Sequence, residues 1–132
     1  MNLLELGVVA KNTAKKAGKF LLTQKSEEKL ISSEKGRDIK LELDRKTEEL
    51  IRKELAITKI QVQGEEIVSK IDQKLRWVVD PIDGTANYFR GLNQCCVSIA
   101  LMNEHECQIG LIYDFNSDEC YEAIKGHGAK LN

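Results

Sequence analysis

Trp77-Val78-Val79-Asp80-Pro81-Ile82-Asp83-Gly84-Thr85-Ala86-Asn87 sets two carboxylates three residues apart behind an apolar run. Leu75, Trp77, Val78 and Val79 read as a strand that ends at Asp80. Pro81 fixes its own φ and pushes Asp80 toward extended geometry, so the chain is bent in advance. Asp83-Gly84 is a turn signal, because glycine accepts positive φ at little cost. Such a turn can fold Asp83 back beside Asp80, with the backbone carbonyl of Ile82 between them as a further oxygen. Thr85 can begin a helix or orient a water with its hydroxyl.

A second acidic element, Gly64-Glu65-Glu66, lies upstream. Carboxylates and a carbonyl make a hard-oxygen set, suited to magnesium rather than zinc. Two such ions roughly 3.5–4 Å apart suit hydrolysis of a phosphate ester. Asp-Pro and Asp-Gly pairs are also common turn punctuation, so the same residues can form a turn that binds nothing.

Helical spacing of Leu3, Leu4, Leu6, Val8, Ala10, Ala14, Ala17, Phe20, Leu21 and Leu22 predicts one amphipathic helix over about 2–23. Lys11, Lys15, Lys16 and Lys19 fall on its wet face. Residues 24–37 are polar, with Ser32, Ser33 and Gly36 as loop formers, and can begin or end as a short strand. Asp44 is placed to cap a second helix, about 45–56, with Glu48 and Glu49 in its first turn and Leu50, Ile51 and Leu55 on its apolar side. After the acidic turn the pattern changes to period two or to apolar runs. Cys95–Met102, Cys107–Tyr113 and Glu119–Ile124 read as strands, a meander over about 94–124 with turns at Asn103–His105 and Asn116–Asp118. The connections are too short for a parallel crossover, so antiparallel pairing is expected. Helices followed by a run of strands indicate a layered α+β fold.

The 132 residues are 42% hydrophobic and 31% charged, with a formal net charge of -1. That balance argues against disorder and against a nucleic-acid surface. No stretch approaches the ~20 apolar residues of a bilayer span. The apolar start is too short for a signal peptide, and its lysines follow rather than precede it. These features suggest a cytoplasmic protein. Cys95, Cys96, Cys107 and Cys120 lack C-x-x-C spacing and read as reduced, mostly buried thiols, with a zinc site a distant alternative. His105 and His127 fall in a turn and a glycine-rich end, where solvated roles are expected.

Trp77–Asn87 resembles the first signature of the inositol monophosphatase family, close to W-x-x-D-P-x-D-G-T-x-N-[FY]. Gly64-Glu65-Glu66 is similar to its G-E-E element, and Asp38–Asp44 matches D-x-V-T-x-x-D in outline. Gly110–Asp114 and Gly126–Asn132 match the later G-[VL]-[IV]-x-[DN] and G-x-G-A-x-x-N positions. The likeness runs in order over nearly the whole chain. It implies a layered αβαβα sandwich of the sugar-phosphatase type and Mg²⁺-dependent hydrolysis of a small phosphate monoester. Inositol 1-phosphate is the default substrate. The sibling activities are 3′(2′),5′-bisphosphate nucleotidase and fructose-1,6-bisphosphatase.

Residue by residue, the resemblance makes Glu65 a metal ligand that helps activate water. It makes Asp80 a bridge between two metals, Ile82 a ligand through its backbone carbonyl, and Asp83 a ligand of the second metal. Asp83, Gly84 and Thr85 would hold the substrate phosphate, and Thr85 would orient the attacking water. Asp44 would hydrogen-bond the threonine. Two or three Mg²⁺ ions are implied, with Mn²⁺ as a substitute. A complete member would be a homodimer acting on a small phosphorylated substrate, with neither membrane nor nucleic-acid polymer as partner.

There are departures. Leu41 and Leu43 replace hydroxyl residues, Ala86 replaces a threonine, Tyr88 stands for a frequent Phe, and Gln63 replaces an apolar residue. The Glu65-to-Asp80 interval is short, which would weaken a third, loosely held magnesium. Family members run to roughly twice this length as a single domain. Their W-D-x-A-A-G element, with a further metal-binding aspartate, has no counterpart here, where Trp77 is the only tryptophan. Residues 1–132 therefore read as the N-terminal part of such a domain, truncated after the first sheet region, with the C-terminal half absent. Two other readings follow: a non-catalytic half that binds metal or a complementary C-terminal chain, and a plain α+β binding module whose acidic turn is structural.

Overall fold

The computed structural model describes residues 1–27 and 33–132, with side chains for 1–25 and 37–132. Helix α1 spans Leu3–Glu27. Its start is a reciprocal cap: Asn2 Oδ1 accepts from the Glu5 backbone N–H at 2.8 Å, and Glu5 Oε2 accepts from the Asn2 backbone N–H at 3.2 Å. Helix α2 spans Ser33–Leu55 and is followed by a 3₁₀ turn, Ala56–Thr58. The strands are β1 Gln61–Gln63, β2 Leu75–Asp83, β3 Cys96–Asn103, β4 Glu106–Asp114, β5 Glu119–Ile124 and β6 Gly128–Leu131. A short helix, α3, occupies Thr85–Phe89 between β2 and β3.

The strands form one sheet in chain order. β1 pairs parallel to β2, and every later pair is antiparallel. The meander expected over 94–124 is present, and β6 extends it by one strand. Helix α1 packs on β3, β4 and β5, and α2 packs on β2. Val97, Ile99, Leu101, Ile109, Leu111, Cys120 and Ile124 are buried, at alternate positions along their strands. Ala10, Ala14 and Ala17 let α1 lie close to the sheet. Trp77 is fully buried, and its indole N–H donates to Thr58 Oγ1 at 3.0 Å, so its polar edge has a partner.

Four expectations need correction. The second helix begins at Ser33, not Arg45, and Asp44 lies inside it rather than capping it. Residues 24–27 and 33–37, read as loop or strand, are helical, while 28–32 lie outside the described residues. The reason is the character of the buried stripe of α2. Leu43, Thr47, Ile51 and Leu55 repeat every four residues, with Asp44 and Glu48 beside them, and all six are buried. Half of that stripe is polar, so a search for apolar periodicity misses it. The strand that was to end at Asp80 runs on to Asp83. The four cysteines are free as expected, but only Cys95 and Cys120 are buried, and Cys107 is exposed.

Candidate functional site

Pro81 lies within β2, where a central strand would lose a ladder hydrogen bond. The strand accommodates it by a bulge. Asp80 pairs with Ser98 and Asp83 with Cys96, so three steps on β2 face two on β3. Residues three apart on a regular strand point to opposite faces. The extra residue puts Asp80 and Asp83 on the same one, away from the helices. The nearby backbone N–H of Ile82 favours the ionised form of the Asp80 carboxylate.

Gly84 follows with φ 89°, a left-handed conformation that glycine adopts freely. A Cβ there would also stand 2.6 Å from the Gln94 carbonyl oxygen. This turn starts α3 at Thr85, as expected. Thr85 Oγ1 donates to the Ile82 carbonyl at 3.0 Å. A carbonyl has two lone pairs, so Ile82 keeps acceptor capacity. The expected partner of that threonine was Asp44. Instead, Asp44 Oδ1 is buried with no hydrogen-bond partner among the described residues.

Asp44 from α2, Glu65 and Glu66 from the segment after β1, and Asp80 and Asp83 from β2 lie in one mutual field. Burial, then Glu66, Asp80 and Glu65, raise Asp44 to about 7. Burial, then Glu65 and Asp83, raise Asp80 to about 6, with the Ile82 N–H acting the other way. Glu66 is raised by burial and then by Glu48 and Glu65. Among the described residues, no three His, Cys, Asp or Glu side chains close into a ready cage. Like charges at these positions repel one another.

The donor chemistry still fits a hard divalent cation. The groups are carboxylates and a carbonyl from three elements, and one buried carboxylate oxygen lacks a partner. Cys96 adds a protonated thiol rather than a soft ligand: burial, then Asp83 and Asp80, push it up to about 11. A cleft of about 570 Å³ borders Asp83, Gly84, Asn87, Cys96 and Asp114. His105 and His127 are exposed and stand apart from it.

One residue the sequence reading left as a helix-dipole acid is Glu48. It is fully buried beneath the Gly64–Ile67 segment. Its place in the buried stripe of α2 is the signal that could have found it.

A family model described as the inositol monophosphatase family matches residues 2–132. An inositol-1-monophosphatase of Rhizobium meliloti is 38% identical over 124 residues, which cover 89% of this chain and 46% of that protein. A protein called Nus factor SuhB, from Xylella fastidiosa, is 38% identical over 123 residues, covering 90% and 45%. The crystal structure of inositol monophosphatase-II from Staphylococcus aureus superposes with a TM-score of 0.82 at 31% identity, covering 97% of this chain and 49% of that one. The chain thus spans about half the length of the curated relatives it matches.

Proposed function

Because the chain belongs to the inositol monophosphatase family, a family of phosphatases, we propose that its acidic site serves Mg²⁺-dependent hydrolysis of a small phosphate monoester, with inositol 1-phosphate as the first substrate to test. The carrying observation is that burial, and after it the neighbouring acids Glu65, Glu66 and Asp83, holds two carboxyls, Asp44 and Asp80, far above their ordinary range. A group of this kind is stabilised by a cation.

In this reading Glu65, Asp80, Asp83 and the Ile82 carbonyl hold two or three Mg²⁺ ions, with Mn²⁺ as a substitute. The cation, when bound, supplies an acidified water and neutralises phosphoryl charge. The residues of the chain then do the rest. Thr85 and Glu65 orient the water, and Glu65 takes its proton. Asp83 and the backbone N–H groups of Gly84 and Thr85 hold the phosphate. Asp44 belongs to the same electrostatic field as Asp80. The water oxygen bonds to phosphorus as the ester P–O bond breaks, and the leaving oxygen takes a proton from solvent water to become the alcohol, with no phosphoenzyme. Such a reaction asks mostly for placement and charge neutralisation.

The test is Mg²⁺-dependent phosphate release over inositol phosphate, nucleoside 3′(2′),5′-bisphosphate and sugar bisphosphate, the last two being the sibling activities. Asp80→Asn is expected to abolish release. Undiminished turnover in that variant would overturn the assignment.

A second reading is favoured by the half-length match. In it the acidic site holds metal without turnover, and the exposed face of the sheet joins further protein. Ile112, Tyr121 and Leu131 form one cross-strand row and are exposed. Calorimetric Mg²⁺ binding without phosphate release would favour this reading.

A further inference from the structure

Glu48 is 0% exposed, yet it is a carboxylate close enough to Glu66 to raise the ionisation of that residue. If packing were its only task, an apolar side chain would serve better there. Its oxygens are fully used. Oε1 accepts from the Glu66 backbone N–H at 2.9 Å, and Oε2 accepts from the Ile67 backbone N–H at 2.9 Å. Arg52 Nε donates to the same Oε2 at 3.0 Å, and Arg52 Nη2 donates to the Ile67 carbonyl at 3.0 Å. One turn of α2 therefore grips the main chain just beyond Glu65 by both its N–H and its C=O groups. The other side of Glu65 is gripped by shape. A Cβ on Gly64 would overlap the Glu48 carboxylate, so that residue is a glycine because the carboxylate lies against it.

We propose that Glu48, braced by Arg52, is a positioning residue that clamps Gly64–Ile67 and so aims Glu65 at Asp80. The segment from Gly64 to Lys74 contains neither helix nor strand, so its own backbone does not fix Glu65. Charge-assisted bonds to main-chain N–H groups are the stronger, directional kind. Arg52 offsets the added negative charge. This assignment rests on Glu65 being a metal ligand, as proposed above.

Mn²⁺ binding to the full chain, read by calorimetry, tests it together with hydrogen exchange of the Glu66 and Ile67 amides. The variants are Glu48→Ala, Glu48→Gln, Gly64→Ala and, as a control on the metal site, Asp83→Ala. Glu48→Ala is expected to weaken Mn²⁺ binding about tenfold or more, the range for groups that orient a ligand. It should also strip protection from both amides. Glu48→Gln keeps one acceptor oxygen and should lose less. A purely structural role would lower the melting temperature but leave Mn²⁺ affinity unchanged in the cold, folded protein. If Glu48→Ala does not fold, Glu48→Gln and Gly64→Ala carry the test, since Gly64→Ala displaces the loop with Glu48 intact. Wild-type affinity in these variants, with binding lost in Asp83→Ala, would overturn the clamp alone. No Mn²⁺ binding by the wild type would overturn the metal reading, and the clamp with it.

Discussion

Asp80, Asp83 and Cys96 share one side of the sheet because of a single inserted residue in β2. The consequence reaches the thiol. Cys96 Sγ lies 3.9 Å from Asp83 Oδ2, and burial with the two carboxylates pushes its ionisation up to about 11. Thiolate, not thiol, reacts with alkylating reagents. At pH 8 iodoacetamide should therefore modify the exposed Cys107 well before Cys96, as peptide mass mapping over time would show. Equal rates at the two positions would contradict this account of Cys96.

Helix α1 approaches the sheet closely enough that one residue decides the fit. A Cβ at Gly18 would stand 2.5 Å from Tyr113 Cε2 and 2.7 Å from Phe115 Cβ. The Tyr113 ring is held in place, since its hydroxyl donates to Asp118 Oδ1 at 2.7 Å. Replacing a mid-helix glycine by alanine ordinarily gains roughly 0.5–1 kcal/mol. Overpacking costs about 1–3 kcal/mol and should win here. Gly18→Ala is expected to lower the unfolding midpoint in urea, and an unchanged or raised midpoint would refute the tight contact. Helix α2 shows the opposite design. Its exposed face carries Glu42–Lys46 and Arg45–Glu49 pairs at 3.1 and 3.3 Å, ordinary surface ion pairs of small worth. Its buried face carries Asp44, Thr47 and Glu48. Of these, Glu48 accepts from the Glu66 and Ile67 N–H groups, and Thr47 donates to the Leu43 carbonyl of its own helix.

Burial of Asp44 and Asp80, reinforced by the acidic field, makes the stability of the protein depend on pH in a direction opposite to the usual carboxylate case. Asp44 at about 7 and Asp80 at about 6 both lie above their ordinary value of 3.8 in the folded protein. Between those limits the folded state binds more protons than the unfolded one, so this contribution falls as pH rises. It is fully present below about 4 and lost through about 7. In metal-free buffer the melting temperature should be lower at pH 8 than at pH 5.5. Asp44→Asn should flatten that slope. Mg²⁺ should restore stability most at pH 8, by binding the folded state alone. A melting temperature that rises between pH 5.5 and 8 without metal would rule out the shared field.

Strands β3, β4 and β5, helix α1, the turn at Gly84 and the start of α3 were all legible in the sequence. Each depends on local signals, namely a period of two or of 3.6 and a glycine at the turn. The sequence order of carboxylates around a proline and a glycine singled out Asp80, Asp83 and Glu65, and the structure brings them into one electrostatic neighbourhood. The rest depended on partners far away in the chain. The bulge that turns Asp83 to the side of Asp80 exists only against β3. The parallel pairing of β1 needs β2. Strand β6 needs β5, where the Asn132 side chain accepts the Cys120 N–H at 2.8 Å. Glu48 looks like a surface acid until the segment 18 residues further on folds over it. A buried carboxylate is permitted by the N–H groups that reach it, and those are brought to it only by tertiary packing.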